Sequence, residues 1–254
     1  MNRLFTLHSP LGEDFRFLSL SGREAVSELF AFELTCISSR RGIDPNEALG
    51  QPFTLDVLLD DGSVRHINAQ CAGFRSAGLA GREHYRYQLS LRPWLWYATK
   101  RTDFRIFQDK TVVEIVSDVL AAYPFPIRWL TAAKYLPWTY CVQYRETDLN
   151  FVMRLLEQEG LWFWFEHSGG EHTLVIGDHI GVCSPFPGAD QIRYHPRDAS
   201  TPEEDHLFFF GDAGQLTSGK YVARDYNFVQ PGADLETLEH LPASHPHARY
   251  EVYD

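Results

Sequence analysis

The sequence predicts a mainly β, α+β protein. Three observations carry that expectation: period-two alternation of apolar residues through the first hundred positions, two capped amphipathic stretches in the middle, and an aromatic run bounded by glycines after the second of them. With 254 residues, 44% of them hydrophobic and 14% aromatic, the chain can build one large domain or two small ones.

The first hundred residues carry strand signals only. Phe15 and Phe17 alternate with polar neighbours, and then Leu18 and Leu20 shift the phase, which predicts a bulge or bend. Phe30, Phe32, Leu34 and Cys36 alternate cleanly. Residues 40–50 form a polar connection with room for one helical turn around Pro45-Asn46-Glu47. Phe53, Leu55, Val57 and Leu59 alternate again, and Asp60-Asp61-Gly62-Ser63 is a turn by composition. A strand over 64–74 comes next, then a loop marked by Gly78 and Gly81, then a strand with Tyr85, Tyr87, Leu89 and Leu91 on one face. Five or six short strands suggest a small barrel, a closure that removes exposed sheet edges. Pro93 cannot donate to a ladder and ends the unit, leaving Trp94 and Trp96 to pack between it and the next domain.

Thr111 and Glu114 fit a capping box. Val112, Ile115, Val116, Val119, Leu120 and Tyr123 then recur at helical spacing until Pro124. Residues 125–139, rich in Pro and Trp, carry no periodic signal. Thr147 is a good N-cap for a second helix, with Asn150 where a box would prefer Glu or Gln. Its apolar stripe is Leu149, Val152, Met153 and Leu156, widened by Phe151 and Leu155, and Gly160 can end it. Residues 161–165, Leu-Trp-Phe-Trp-Phe, form a strand apolar on both faces, so burial of both is expected. Ser168-Gly169-Gly170-Glu171 turns back into a strand carrying Leu174, Val175 and Ile176.

From Phe186 the character changes. A Pro/Gly loop opens it, Glu203-Glu204-Asp205 is an acidic run expected on a solvated face, and residues 206–210 and 220–229 have strand character. The tail holds Pro242, Pro246, His240, His245 and His247.

The 34 acidic against 23 basic side chains give a formal net charge of −11, which argues against a nucleic-acid binder needing a basic footprint. No run reaches the roughly 18 apolar residues of a membrane helix. The start lacks a signal-peptide core, so synthesis in the cytoplasm is expected, with any export by a machine. Cys36, Cys71, Cys141 and Cys183 are far apart and without a CxxC pair, and are expected to be reduced thiols, mostly buried.

No nucleophile elbow, phosphate loop or HExxH stands in the chain. His167 and His172 flank a turn, so a metal site can be drawn there, but two exposed hairpin histidines are the simpler reading. His240, His245 and His247 lack a carboxylate partner, and a surface segment is simpler for them. Glu157 and Glu159, two apart on a helix, do not face each other as an acid–base pair would. Trp162, Phe163 and Trp164 could stack sugars or bases, with core packing the plainer use. Arg145 and Glu146 fit a structural ion pair. No catalytic, cofactor or metal residue is assigned, and no enzyme activity is expected.

The string QYRETDLNFVMRLLEQEGLWFWFEH at 143–167 resembles a signature of VgrG spike proteins of type VI secretion systems, whose N-terminal region is similar to the hub of contractile phage tails. LRPWLW at 91–96, RIFQDKTV at 105–112 and the terminal EVYD resemble further motifs of the family in the same order. The resemblance implies two β-barrel tube-type domains with an intervening α+β domain: 1–103 as the first barrel, 104–185 as the α+β domain with two helices and a hairpin, and 186–254 as the start of a second barrel, incomplete at the C-terminus. It implies a homotrimer in which six quasi-equivalent barrels match a six-fold tube to a three-fold spike. The implied partners are the chain itself, a tail tube protein, baseplate components and an effector or spike-tip protein, with release through the type VI machine and no stable membrane insertion. An adaptor for an effector or tail component, and less readily a polymer-degrading hydrolase, are the other readings.

Overall fold

The computed structural model describes residues 4–59, 62–183, 192–196, 206–212, 214–227, 229–241 and 244–254. The chain divides into two compact units, 1–184 and 185–254.

The first unit opens with β1 (Phe5–His8), β2 (Arg16–Arg23), β3 (Ala31–Ser38), β4 (Pro52–Leu58), β5 (Val64–Ala80) and β6 (His84–Arg92). They form one antiparallel sheet in the order β1-β4-β5-β6-β3-β2. The phase slip after Phe17 is a bulge between Phe17 and Ser19 against β3. β1 is too short and too exposed to show an alternation, and the sequence reading misses it. β5 runs past the expected end at residue 74, because bulges at Cys71/Gly73 and Ser76/Leu79 let it bend without leaving the ladder. Gly78, at φ +87°, lies inside the second bulge and not in a loop; Gly81 takes the turn. The terminal strands β1 and β2 share no ladder, yet their Phe5 and Phe17 rings approach to 5.0 Å, so the sheet is curled. Its inner face holds Leu34, Cys36, Phe53, Ala69, Tyr87, Leu89 and Leu91. The Pro45–Glu47 turn is there, capped by Asp44 in a box with Glu47.

After Pro93 the chain makes 3-10 turns over Trp94–Lys100, and Trp94 and Leu95 are buried. The Trp94 ring stacks on Phe125 at 5.3 Å, joining the sheet's core to that of the remaining elements of the unit. Those are β7 (Thr102–Phe107), α1 (Val112–Leu120), β8 (Ile127–Leu130), β9 (Cys141–Thr147), α2 (Asp148–Gln158), β10 (Trp162–Ser168) and β11 (Glu171–Gly177). β7 and β9 form an antiparallel ribbon, and β10-β11-β8 a small mixed sheet. β8 falls in the stretch expected to be irregular; four residues beside prolines are too few to show a period. β9 precedes the helix cap and is likewise unexpected.

Both caps form. The Thr111 hydroxyl accepts from Glu114 N–H while Glu114 accepts from Thr111 N–H, and Thr147 Oγ1 accepts from Asn150 N–H at 3.1 Å. The buried face of α2 is Asp148, Phe151, Val152, Leu155 and Leu156; Leu149 and Met153 are only half-buried, so the stripe is centred one step away from the expected one. At its end Leu161 N–H reaches Leu156 O at 2.7 Å and Gly160 N–H reaches Glu157 O at 3.2 Å, a Schellman closure with Gly160 at φ +69°.

The β10–β11 hairpin turns on Gly169 and Gly170, both at positive φ. Its two faces are unequal. Phe163 and Phe165 are buried, whereas Trp162 and Trp164 are half-exposed and stack on each other at 5.1 Å. The expected double burial therefore fails, because only one side of this sheet meets the core.

In the second unit β12 (Arg193–Tyr194) pairs in parallel with β13 (His206–Leu207). β14 (Lys220–Arg224) lies between β15 (Glu236–His240), antiparallel, and β16 (Glu251–Tyr253), parallel. The expected strands over 206–210 and 220–229 are thus shorter, and β15 and β16 are additional. The acidic run Glu203-Glu204-Asp205 lies outside the described residues. All four thiols are free, with Cys36, Cys71 and Cys141 buried.

Candidate assembly site

The hairpin histidines are structural and far from exposed. His172 is 3% exposed, and its Nε2 accepts from the Trp94 N–H at 2.9 Å. His167 Nδ1 accepts from the Asn68 N–H at 2.9 Å. Asn68 donates from Nδ2 to Glu171 O at 2.6 Å and accepts from Thr54 Oγ1 at 2.7 Å. This chain of bonds clasps the hairpin to β4 and β5 and to the entry of the 94–100 turns. Burial, and then the neighbouring His167, pushes the His172 pKa down to about 3, so the ring stays neutral and its acceptor nitrogen stays available to Trp94. Sequence reasoning places both rings at a solvent turn because the covering sheet comes from residues about a hundred positions earlier.

A second polar centre is not legible in the sequence. Asp148 is fully buried at the start of α2; it accepts from Gln143 Nε2 at 2.8 Å and Tyr123 Oη at 2.9 Å, with Arg105 at 3.6 Å and Arg101 at 3.8 Å. Burial, and then the bond to Asp148, raises the Tyr123 pKa to about 12. The only sequence signal is alternation in β7, where Asp103 and Arg105 interleave with Phe104 and Ile106; which set turns inward depends on the fold.

Other candidates resolve singly. Glu146 pairs with Arg154 at 2.8 Å and not with Arg145. Glu159 accepts from Trp138 Nε1 at 2.8 Å, while Glu157 is exposed. Trp164 Nε1 donates to Glu166 at 3.3 Å, beside the Arg128–Glu166 ion pair. His245 contacts Thr217 O at 2.8 Å, and His247 stacks on Tyr250. Among the described residues no three His, Cys, Asp or Glu side chains gather around a metal-sized position.

Two openings lie on the curled sheet. One, of about 770 Å³, runs along the seam between β1 and β2 and is lined by Phe5, Leu7, Phe15 and Phe17. The other, of about 370 Å³, is lined by His8, Asp56, His66 and the hairpin glycines. There Asp56 bridges His8 Nε2 at 2.8 Å and His66 Nδ1 at 2.7 Å; burial works against its ionisation, but the two hydrogen bonds prevail and hold its pKa low. This pins the short β1 to β4 and β5. These openings lie beside exposed apolar side chains such as Leu4, Phe5 and Leu18.

A family model described as phage tail baseplate hub matches residues 23–254. The chain belongs to that family. It is 38% identical to the type VI secretion system spike protein VgrG1b of Pseudomonas aeruginosa over 99% of its own length. It spans 34% of the length of that relative. Among solved structures, a type VI secretion component of E. coli superposes with a TM-score of 0.64 at 24% identity, covering 76% of this chain and 52% of that one. A tail protein of Neisseria meningitidis superposes with a TM-score of 0.67 at 14% identity, covering 99% of this chain and 71% of that one. The hub fold of this chain is therefore shared by type VI spikes and phage tails. Among the described residues no helix is long and apolar enough to cross a membrane.

Proposed function

We propose that this chain is a structural part of the hub at the base of a spike in a contractile injection machine. It acts as a homotrimer that adapts a six-fold tube to a three-fold spike and helps deliver effectors. Residues 1–103 form the first hub barrel, 104–185 the α+β domain and 186–254 the start of the second barrel. Its partners are a tail tube protein, baseplate components and an effector or spike-tip protein; it is made in the cytoplasm, leaves through the type VI machine and carries no reaction of its own.

The observation that carries this reading is the pairing of a curled six-stranded sheet with a second, open sheet in one chain of the hub family. The second unit leaves Phe209, Phe210, Tyr226 and Tyr253 exposed, apolar surface of the kind an obligate assembly hides. Light scattering after size exclusion, with images of the same peak, tests it. Three chain masses seen as rings with a central opening are the expected result. A folded monomer would count against the trimer and favour an adaptor that holds an effector or a neighbouring tail component.

A further inference from the structure

Four histidines meet where the β10–β11 hairpin lies on the curled sheet. His167 and His172 come from the hairpin, and His8 and His66 from β1 and β5. The opening of about 370 Å³ lies between His8, Asp56 and His66 on the sheet and the hairpin glycines. The two pairs use their rings in opposite ways.

His167 and His172 are acceptors. Each spends a ring nitrogen on a main-chain N–H, that of Asn68 and that of Trp94, and both of those residues are buried. The two rings stand 5.8 Å apart, and Phe30 packs its ring 5.3 Å from His167 and 5.4 Å from His172. A protonated imidazole has no acceptor. Charging either ring therefore breaks a hydrogen bond and strands a buried N–H, and charging both sets two cations side by side. His8 and His66 do the reverse. Each ring faces an oxygen of Asp56, at 2.8 Å and 2.7 Å, and a charged ring holds a carboxylate more tightly than a neutral one. Of the carboxylates on the neighbouring elements, Glu24 stands 3.4 Å from the other nitrogen of His167, ready as its partner once that ring is charged. Glu166 and Glu171 belong to the hairpin itself, and Glu166 is paired with Arg128.

We propose that this clasp is an acid-released joint: protonation of His167 and His172 frees the β10–β11 hairpin from β5 and the 94–100 turns, while the curled sheet stays closed. The release is directional, because acid loosens the hairpin side of the junction and tightens the His8–Asp56–His66 side. Burial, and then the nearby His167, keeps the His172 ring neutral down to about 3 while the clasp is shut, so opening takes up a proton below the ordinary imidazole range. The joint belongs to the single chain and stands whatever its oligomeric state.

Hydrogen exchange read by mass spectrometry on the full chain at about pH 7 and about pH 5, corrected for intrinsic rates, tests this. Peptides covering β10 and β11 are expected to lose protection by about tenfold per pH unit for each proton taken up, while those of β3, β6 and α1 keep theirs. The double variant His167→Gln with His172→Gln, which leaves a neutral acceptor at both positions, is expected to hold its hairpin protection across the same range. Three results overturn the joint: no loss in the hairpin, a loss shared equally by β3, β6 and α1, or a loss that persists in the double variant. Should that variant not fold, ring-nitrogen NMR of the unaltered protein decides. Rings of His167 and His172 that charge together with a shift of the Asn68 and Trp94 amides support the joint; rings that stay neutral, or that charge with those two amides unmoved, overturn it.

Discussion

The first 184 residues bury a continuous core reaching from Leu11 in the turn between β1 and β2 to Ile176 on the hairpin, whereas the described part of the last 70 buries a single apolar side chain, Val222. Both regions have the same strand chemistry. In the first, most alternating strands bury their apolar side, β7 excepted, where Phe104 and Ile106 stay exposed. In the second, Val222, Leu238 and Tyr253 share one face of β14, β15 and β16, and of these only Val222 is shielded; Tyr221 and Val252 on the other face are open as well. Three short strands without a covered apolar face are marginal alone. The difference teaches that alternation specifies a strand, while burial is supplied by whatever packs against it: in the first unit the chain's own helices and curl, in the second, on the hub reading, neighbouring copies.

The largest effect that could break this contrast is a charge in the first core. Leu156→Asp is expected to cost about 5 kcal/mol, combining lost packing with an uncompensated buried charge, and to abolish the main transition in a denaturant melt. Val222→Asp should leave that transition in place; if both variants unfold the chain alike, the two units are not independent. Next comes the hairpin. Phe163→Ala should cost about 3–5 kcal/mol and Trp164→Ala only about 1–2 kcal/mol, the latter being half-exposed. Equal losses in melting would mean that both faces are covered.

The pH dependence sharpens the same point. His172 binds its proton at about 3 when folded against 6.5 for the ordinary ring, so the unfolded chain holds the extra proton in between. Its contribution to stability is complete above about 6.5 and drains as pH falls towards 3, by up to about 1.4 kcal/mol per pH unit. Denaturant melts at pH 7 and pH 5 should show this loss, and His172→Gln, which keeps an acceptor for Trp94 N–H, should flatten it. The smallest effect is a cap: Thr111→Ala should lower stability by about 1 kcal/mol in the same melts.

The features legible in the sequence are local. The Phe17 slip, the Thr111 box, the Thr147 cap, the Gly160 stop and the Gly169-Gly170 turn each depend on neighbours within a few positions, and all are present. The hidden ones depend on distant partners. β1 and β8 are strands because β4 and β11 offer them edges, and their own four residues carry no period. His167 and His172 are covered by Asn68 and Trp94, and the Asp148 centre gathers side chains from residues 101 to 148. The outward apolar row of the β7–β9 ribbon is hidden for the same reason. Phe104 and Ile106 alternate like core residues, and only the buried Asp148 shows that the ribbon's charged side is the inner one.

The most direct measurement is hydrogen exchange on the purified chain as monomer and as assembled ring, separated by size exclusion. Amides of β3, β6, α1 and α2 are expected to be equally protected in both, while those of β14 and β15 exchange freely in the monomer and become protected on assembly. Equal protection of β14 and β15 in both states would contradict it, since the second unit would then be stable without its neighbours.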